Sequence, residues 1–330
     1  MSAAPVDTVA AQRPLGGLER WLHDPTVDEV MVNGGCEVWI DRGGSLIPVA
    51  TVRPSTVLAV LERLLAPAGR RLDRANPTVD ARLPDGSRLC AVIEPVAVDG
   101  PCLSIRRFAV HRHGLGEFTT APIVELLTTI VERRCNVVVS GATSTGKTTF
   151  LNALAGAVEP GARIVTLEDV AELRLGHVHV VRLEARPATP DGVGEVTVAH
   201  LLRTALRMRP DRLVVGEVRG DEAAHLLQAL NTGHDGSLST IHANSADDAL
   251  ARLCSLVQQH VATWPLDAVQ QHVHRAIDVV VHLRRDTDGR RRVHEVVEVV
   301  ESHGEGHRFL ATRRLAVDGA VVGVPVRSRR

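Results

Sequence analysis

The sequence predicts an α/β protein of two parts, a small α+β domain followed by a larger parallel α/β domain. The first observation is length, because 330 residues are more than one hydrophobic core usually serves. The second is a change of pattern. Short strands with hairpin signals end near residue 108, and strands then alternate with helices from residue 123 onward, as in a parallel sheet covered on both faces. The predicted divisions are a flexible tail at 1–14, an N-terminal α+β domain at 15–108, a linker at 109–120 and the α/β domain at 121–330.

The first domain is predicted to hold two helices and five short strands. Leu61, Leu64 and Leu65 share one face of the second helix at helical spacing, which predicts that this face is buried. The turn Pro84-Asp85-Gly86 joins two strands as a hairpin. The predicted helices are 18–23 and 57–66, and the predicted strands are 27–33, 37–41, 79–83, 87–92 and 102–108.

The second domain is predicted to alternate between strands and helices and to end in a long hairpin. The predicted strands are 135–140, 163–167, 178–183, 212–216 and 237–242, and the helices are 147–157, 197–208, 221–231 and 245–259. The hairpin pairs residues 278–285 with 291–301 across Asp288-Gly289. The run Arg290-Arg291-Arg292 is interpreted as a solvated hairpin end rather than a nucleic-acid contact, because the net charge of the chain is only −1.

Composition excludes several classes of protein. A hydrophobic share of 44% and a charged share of 23% are ordinary for a globular protein. Aromatic residues make up only 2%, which disfavours a stacking platform for single-stranded nucleic acid. The five cysteines are scattered and never form a C-x-x-C pair, so neither a disulfide set nor a zinc site is expected. The sequence shows no signal peptide and no apolar run of roughly 20 residues, and we expect a cytoplasmic protein.

A glycine-rich segment between a predicted strand and a predicted helix carries the clearest chemical signal. Residues 141–148 read GATSTGKT and fit the pattern G-x-x-x-x-G-K-[ST] of a phosphate-binding loop. Of the 38 lysine and arginine residues only Lys147 is a lysine, and a compact ammonium suits the β- and γ-phosphates better than a planar guanidinium. Thr148 is predicted to supply a hydroxyl to Mg²⁺. The residues predicted to bind nucleotide here are Gly141, Ala142, Thr143, Ser144, Thr145, Gly146, Lys147, Thr148 and Thr149.

Two predicted strands of the second domain lead into carboxylates. The strand at 212–216 leads to Glu217, and we expect it to lie next to the phosphate-loop strand and to hold Mg²⁺ together with Thr148. Gly216 stands where many nucleotide hydrolases have aspartate. The strand at 163–167 leads to Glu168, a second candidate base for the attacking water, because ligands collect at the carboxyl ends of strands. The division of work between Glu168 and Glu217 stays open at this point.

Two histidines flank the last predicted parallel strand. His234 lies in the segment TGHDGS before the strand, and His242 ends it. A histidine after a strand end can hydrogen-bond a γ-phosphate or report its loss, whereas a lone loop histidine more often serves the local structure. Both histidines are candidates for nucleotide binding.

The motifs occur in an order that resembles the type II/type IV secretion ATPase superfamily. The phosphate loop corresponds to its Walker A motif, residues 166–172 (TLEDVAE) to its Asp box, 215–219 (VGEVR) to its Walker B motif and 232–244 to its His box. A Gly-Glu form of Walker B is a habit of that superfamily. In the first domain, the segments 31–34 (MVNG), 80–88 (DARLPDGSR) and 104–108 (SIRRF) resemble the Tad/Flp pilus motor branch.

The resemblance implies a homohexameric ring in which a PAS-like N-terminal domain precedes a RecA-like ATPase domain. It implies ATP and Mg²⁺ as cofactors, an inner-membrane platform protein as partner, and ATP hydrolysis that powers pilus assembly or protein secretion at the cytoplasmic face. The nucleotide would lie between the two domains. By motif position, the phosphates would be reached by the first-domain arginines Arg82, Arg88, Arg106 and Arg107.

Three functions compete. A secretion or pilus motor comes first, with Glu217, Glu168, Lys147, Arg106 and Arg107 as the expected catalytic residues. A conjugation-associated translocase or helicase is the alternative, and the near-neutral charge speaks against the nucleic-acid contact that it needs. A scaffold that binds nucleotide without hydrolysis is disfavoured by the intact phosphate loop and Glu217.

Overall fold

The computed structural model describes residues 17–107, 113–188, 192–304 and 307–329. The predicted tail at 1–14 and the first residues of the predicted linker at 109–120 lie outside the described ranges. The chain divides into two compact units, residues 1–110 and residues 111–330.

The first unit is built on an antiparallel sheet. In its described part, six strands pair in the order β3-β2-β1-β6-β5-β4. The strands are β1 Glu29–Val32, β2 Glu37–Arg42, β3 Ser45–Thr51, β4 Thr78–Arg82, β5 Arg88–Val92 and β6 Cys102–Arg106, and the helices are α1 Glu19–Leu22 and α2 Pro54–Leu65. All five predicted strands and both predicted helices are confirmed within a few residues. The sequence reading missed β3, whose residues are mostly exposed and lack an alternating pattern.

Burial in the first unit follows from strand alternation and one amphipathic helix. In β4 and β5 the buried residues alternate with exposed ones, so one face of the sheet is covered and the other faces solvent. Helix α2 has proline in its first turn and covers the buried face with Val57, Val60, Leu61 and Leu65. The prediction for the inner face of α2 is confirmed for Leu61 and Leu65, while Leu64 is half-buried.

The second unit is built on a larger sheet. Among its described residues, nine strands pair in the order β15-β14-β13-β12-β7-β11-β10-β8-β9. The strands are β7 Val137–Gly141, β8 Ile164–Glu168, β9 Val180–Glu184, β10 Arg212–Val218, β11 Leu238–His242, β12 Val279–Arg285, β13 Arg291–Gly304, β14 His307–Val317 and β15 Ala320–Val321. The helices are α3 Ala121–Glu132, α4 Lys147–Ala155, α5 Val198–Ala205, α6 Glu222–Leu230, α7 Ala246–His260 and α8 Leu266–Ala276.

The central parallel strands of this sheet are mostly buried on both faces, as predicted, whereas the edge strand β9 has no buried residue. Two hydrophobic clusters lie on opposite faces, one containing residues of α3 and α4 and the other residues of α5 to α8. The mixed α/β class is confirmed. The sequence reading did not delimit α3 and α8, and it missed β14 and β15. Helix α8 was hard to predict because it buries only Val269, Val273 and Ala276 among polar neighbours.

Strand order corrects one expectation about the site. The strand that leads to Glu217 was expected next to the phosphate-loop strand, but β11 lies between β7 and β10. The carboxyl ends of β7, β11, β10 and β8 therefore follow one another along one edge of the sheet, each about 4.8 Å from the next. We call this the carboxyl edge, and the opposite edge, where these strands begin, the amino edge.

None of the helices in the described part of the chain is long and apolar enough to cross a bilayer.

Candidate nucleotide-binding site

The phosphate loop connects β7 to α4 at the carboxyl edge. Its backbone uses left-handed conformations at two positions, with φ of +63° at Ser144 and +87° at Gly146. Such turns aim successive backbone N–H groups into one concavity, which suits an anion. Gly146 precedes α4 directly, and glycine adopts this conformation without the penalty that a side chain brings.

Gly141 opens the loop at a point with no room for a side chain. A Cβ built on it would lie 2.5 Å from the Thr145 hydroxyl oxygen and 2.9 Å from the carbonyl oxygen of Leu283. The Thr145 hydroxyl donates to the carbonyl of Ala142 at 2.9 Å, which closes the loop on itself. The first glycine of the motif is therefore required by close packing between the loop and β12.

The ammonium of Lys147 lies against the phosphate loop. Its Nζ donates to the carbonyl oxygens of Gly141 and Ala142, each at 2.9 Å, so the side chain folds back over the loop. The first backbone N–H groups of α4 have no partners within the helix, and the helix dipole is positive at this end. Thr148 and Thr149 follow in the first turn and are half-buried, whereas Ala142, Thr143 and Ser144 are exposed at the crown of the loop.

Glu217 is carried by a bulge in β10. The pairing of β10 with β11 runs Val215 to Ser239 and then Val218 to Ile241, so β10 has one extra residue at Gly216-Glu217. Bulges of this kind re-aim a side chain and are frequent next to active sites. The Thr240 hydroxyl donates to the carbonyl oxygen of Gly216 at 2.6 Å and fixes the bulge.

Gly216 is glycine because Glu168 fills the space beside it. A Cβ at position 216 would lie 2.8 Å from Cγ of Glu168 and 3.4 Å from its Oε1. An aspartate at this position, as in many nucleotide hydrolases, would collide with that side chain. The side chain of Glu168 thus fills, from the neighbouring strand, the space beside position 216.

Glu168 is buried and only half satisfied. Its Oε1 accepts hydrogen bonds from the backbone N–H groups of Glu172 and Leu173, both at 2.8 Å. Its Oε2 has no hydrogen-bond partner among the described residues, and the residue is 3% exposed. Burial raises the pKa of Glu168 to about 7, although the two N–H donors oppose the shift. A carboxylate with a pKa near neutrality can accept and release a proton under physiological conditions.

The two histidines lie at opposite edges of the sheet. His242 pairs with Gly141 in the ladder between β11 and β7, so it flanks the phosphate loop on the side of Glu217. His234 precedes β11 at the amino edge, about 17 Å away by the length of a five-residue strand. Its Nδ1 donates to the carbonyl oxygen of Ala229 at 3.1 Å and closes the end of α6. Within one chain the structure brings His242 to the loop and does not bring His234 there.

Three of the four first-domain arginines line up in their own unit. Arg82 pairs with Arg88, and Arg88 with Arg106, across β4, β5 and β6. Directly opposite residues in a ladder share a face. Arg88 and Arg106 are exposed and Arg82 is half-buried. Arg107 points elsewhere, because its guanidinium donates to the carbonyl oxygens of Asp24 and Val27.

An ion pair that sequence reasoning did not assign ties the two acidic segments together. The guanidinium of Arg219 contacts the carboxylate of Asp169 across the ends of β10 and β8. The sequence did contain both partners, since Asp169 follows Glu168 in the segment 166–172 and Arg219 ends the segment 215–219. Thr240, which fixes the bulge, had no comparable signal.

The residues present fit a nucleotide with Mg²⁺. The loop has two glycines at which a side chain would collide with neighbouring atoms, and a helix N-terminus for the phosphates. The hydroxyl of Thr148 and the carboxylates of Glu217 and Glu168 are oxygen ligands of the kind that Mg²⁺ takes, directly or through water. Among the described residues no group donates to Oε2 of Glu168, so this oxygen can accept a hydrogen bond from water or a ligand.

Comparison with known proteins extends this picture. The profile described as "Type II/IV secretion system protein" matches residues 11–317. A Mycobacterium tuberculosis protein with the provisional name of conjugal transfer protein is 40% identical over 332 residues, which cover 95% of this chain and 93% of that protein. The conjugal transfer protein TrbB of Rhizobium radiobacter is 33% identical over 296 residues, covering 87% and 86% of the two chains.

Among solved structures, the ATPase DotB of Yersinia pseudotuberculosis has a TM-score of 0.62 at 17% identity. The alignment covers 87% of this chain and 81% of DotB, and at this identity it supports the fold alone. The match of the family profile to nearly the whole chain decides the assignment. The chain belongs to the type II/IV secretion system protein family, a family of secretion ATPases.

Proposed function

We propose that this chain hydrolyses Mg²⁺·ATP and works as the motor of a secretion, conjugation or pilus-assembly apparatus. One observation carries the proposal. The phosphate loop, His242, Glu217 and Glu168 follow one another along a single edge of a single sheet, and the last of them is a buried carboxylate with a pKa of about 7.

The phosphate loop and the start of α4 hold the nucleotide. Lys147 exchanges the carbonyl oxygens of Gly141 and Ala142 for β- and γ-phosphate oxygens, and the N–H groups of the loop add donors. Bound Mg²⁺ would neutralise phosphate charge, with Thr148 and Glu217 as its ligands, directly or through water. These groups bind and orient the phosphates.

Glu168 is the group that takes the proton of the attacking water. Its pKa of about 7 suits a general base at neutral pH. None of the described residues donates a hydrogen bond to its Oε2, so this oxygen can accept one from the attacking water. Glu217, on the bulge next to it, orients the water and the metal shell. We therefore assign the proton transfer to Glu168 and the positioning of the water to Glu217, and the raised pKa of Glu168 supports this division.

His242 is positioned to respond to the γ-phosphate. It ends the strand that lies between the phosphate loop and the Glu217 strand, and it is half-buried. Loss of a hydrogen bond to the γ-phosphate would be transmitted along β11. His234, in the segment that leads into the same strand, lies where that motion would reach the amino edge. Release of phosphate-linked segments is a known switching mode.

The arginines of the first domain are proposed to complete the site in a homohexameric ring. Arg82, Arg88 and Arg106 lie opposite one another across three strands, on one face of their sheet, which suits a clamp on developing phosphoryl charge. Arg107 is proposed to hold the loop of Asp24 and Val27 instead. An arginine that acts at the phosphates contributes roughly 10³–10⁵ in rate.

The apparatus is proposed to lie at the cytoplasmic face of the inner membrane, with a membrane platform protein as partner. The first-domain segments favour the Tad/Flp pilus branch, in which the motor assembles pilin. The names of the relatives favour a conjugal transfer system as the second candidate. The net charge of −1 gives no general attraction to nucleic acid, so the pilus or protein-secretion function is preferred.

The test is ATP turnover per subunit across a wide range of protein concentration, with Lys147→Ala as the blank. If the protein is a ring motor, turnover per subunit rises steeply with protein concentration. Arg106→Ala should lower this turnover at least tenfold more than Arg107→Ala does, because only Arg106→Ala removes an exposed guanidinium. A flat rate would refute the ring. A rate equal to that of Lys147→Ala would refute the ATPase, and turnover stimulated by single-stranded DNA in a salt-sensitive manner would favour the conjugation candidate.

A further inference from the structure

Three consecutive arginines at the end of the β12–β13 hairpin have different environments. Arg290 and Arg292 are exposed. Each pairs with an aspartate of the hairpin itself: Nε of Arg290 lies 3.5 Å from Oδ2 of Asp288, and Nε of Arg292 lies 2.5 Å from Oδ2 of Asp286. The sequence-based interpretation as a solvated hairpin end describes these two residues.

Arg291 is half-buried and lies on the phosphate loop. A Cβ built on Gly146 would be 2.7 Å from Cδ of Arg291, 3.4 Å from its Nε and 3.6 Å from its Nη1. The interpretation as a solvated end is therefore wrong for Arg291. Any side chain at position 146 would displace it, which gives this glycine a second reason beyond its φ of +87°.

Strand register explains how Arg291 reaches the loop. Leu283 pairs with Gly141 on one side and with Val293 on the other, so the start of β13 lies one strand beyond the phosphate loop. The pairing shifts between His282 and Leu283, leaving one extra residue in β13. This bulge places Val293 and Val296 in the same hydrophobic cluster as α4, and Arg291 continues from Val293 by one strand period towards the loop.

We propose that Arg291 is a nucleotide-binding residue supplied by the same chain, whose guanidinium contacts the polyphosphate of the nucleotide held by the loop. This inference rests on the proposed ATPase function and deepens it. It adds to Lys147 a cation that requires no other subunit. A guanidinium can donate two parallel hydrogen bonds to phosphate oxygens, which an ammonium cannot do.

The two neighbouring arginines provide matched controls. Arg291→Met keeps the apolar stem over Gly146 and removes the charge, and Arg290→Met and Arg292→Met remove the same charge a few ångströms away. Arg291→Lys keeps a charge without the fork. Affinity is measured by titration with fluorescent ATP and ADP analogues and, as the uncharged probe, adenosine. Thermal melting confirms that each variant is folded.

We expect Arg291→Met to weaken ATP and ADP binding about 10- to 100-fold, with Arg291→Lys in between and the two control variants within about twofold of wild type. Adenosine binding should be unchanged. The proposal is overturned if Arg291→Met binds like Arg290→Met, or if adenosine affinity falls as much as ATP affinity. If the wild-type chain and Lys147→Ala bind ATP equally poorly, the proposed function itself fails, which separates the two outcomes.

Discussion

Two glutamates near opposite ends of β8 show how the two edges of the large sheet differ. Glu159 lies before β8 at the amino edge, and Glu168 ends β8 at the carboxyl edge. Burial alone would raise the pKa of Glu159, but hydrogen bonds from Arg212 and Arg134, at 2.6 and 2.5 Å, lower it to about 2. Glu168 receives backbone donors on one oxygen only, and its pKa rises to about 7.

The same contrast holds for the neighbours of each residue. At the amino edge, buried Asp278 accepts hydrogen bonds from the backbone N–H of Asn136 and from the guanidinium groups of Arg327 and Arg329. At the carboxyl edge, the described residues around Glu168 leave Oε2 without a partner. The carboxylate of Asp278 therefore has hydrogen-bond donors on both oxygens, whereas among the described residues that of Glu168 has donors on one oxygen only.

The largest effect on stability is expected at the amino edge. Glu159→Gln leaves the fully buried guanidinium of Arg212 without its counter-charge, although carbonyl contacts to Gly236 and Val131 remain. Breaking a buried pair costs about 3–5 kcal/mol of unfolding free energy, and we expect about 3 kcal/mol here because the Glu159 side chain is 31% exposed. Chemical denaturation at neutral pH measures it. The control is Glu184→Gln, which changes an exposed glutamate, and a loss no larger than that of the control would contradict the assignment.

A smaller effect of opposite sign is expected at the carboxyl edge. The folded-state pKa of Glu168 is raised from 4.5 to about 7, so its contribution to stability is fully present below 4.5 and is lost as the pH rises through about 7. Glu168→Gln removes this loss. The variant should gain on the order of 2–3 kcal/mol relative to wild type between about pH 5 and about pH 8.5.

Parallel denaturation curves of wild type and Glu168→Gln at the two pH values check this prediction. Glu159→Gln serves as the control over the same range, because the pKa of Glu159 is lowered and its contribution falls only as the pH drops from 4.5 towards about 2. A constant difference between wild type and Glu168→Gln across the range would show that Glu168 is ionised at both pH values.

Much of the carboxyl edge could be predicted from the sequence. The phosphate loop is predicted by the fixed spacing of its residues between a strand and a helix. Glu168 and Glu217 were predicted as site residues because each comes after a run of mainly apolar residues in its strand. Strand order was not predictable in the same way. The insertion of β11 between β7 and β10 depends on long-range pairing that local pattern does not record.

The sequence could not show which charged residues pair with each other and which lie at the phosphate loop, because these contacts join residues far apart in the chain. Glu159 and Arg212 are 53 residues apart in the chain, and only the fold shows that they meet. Arg290, Arg291 and Arg292 are indistinguishable by composition, yet a bulge in β13 sends only the middle one to the phosphate loop. Position 216 is glycine because of a side chain on another strand.

The most direct test of the account compares ATP binding and hydrolysis in Glu168→Gln and Glu159→Gln, the same substitution at the two edges. If the carboxylate of Glu168 takes the proton of the attacking water, Glu168→Gln retains bound ATP while turnover falls about 10²- to 10⁴-fold. Folded Glu159→Gln then hydrolyses ATP within a few-fold of wild type. Turnover by Glu168→Gln at the wild-type rate would contradict the central claim.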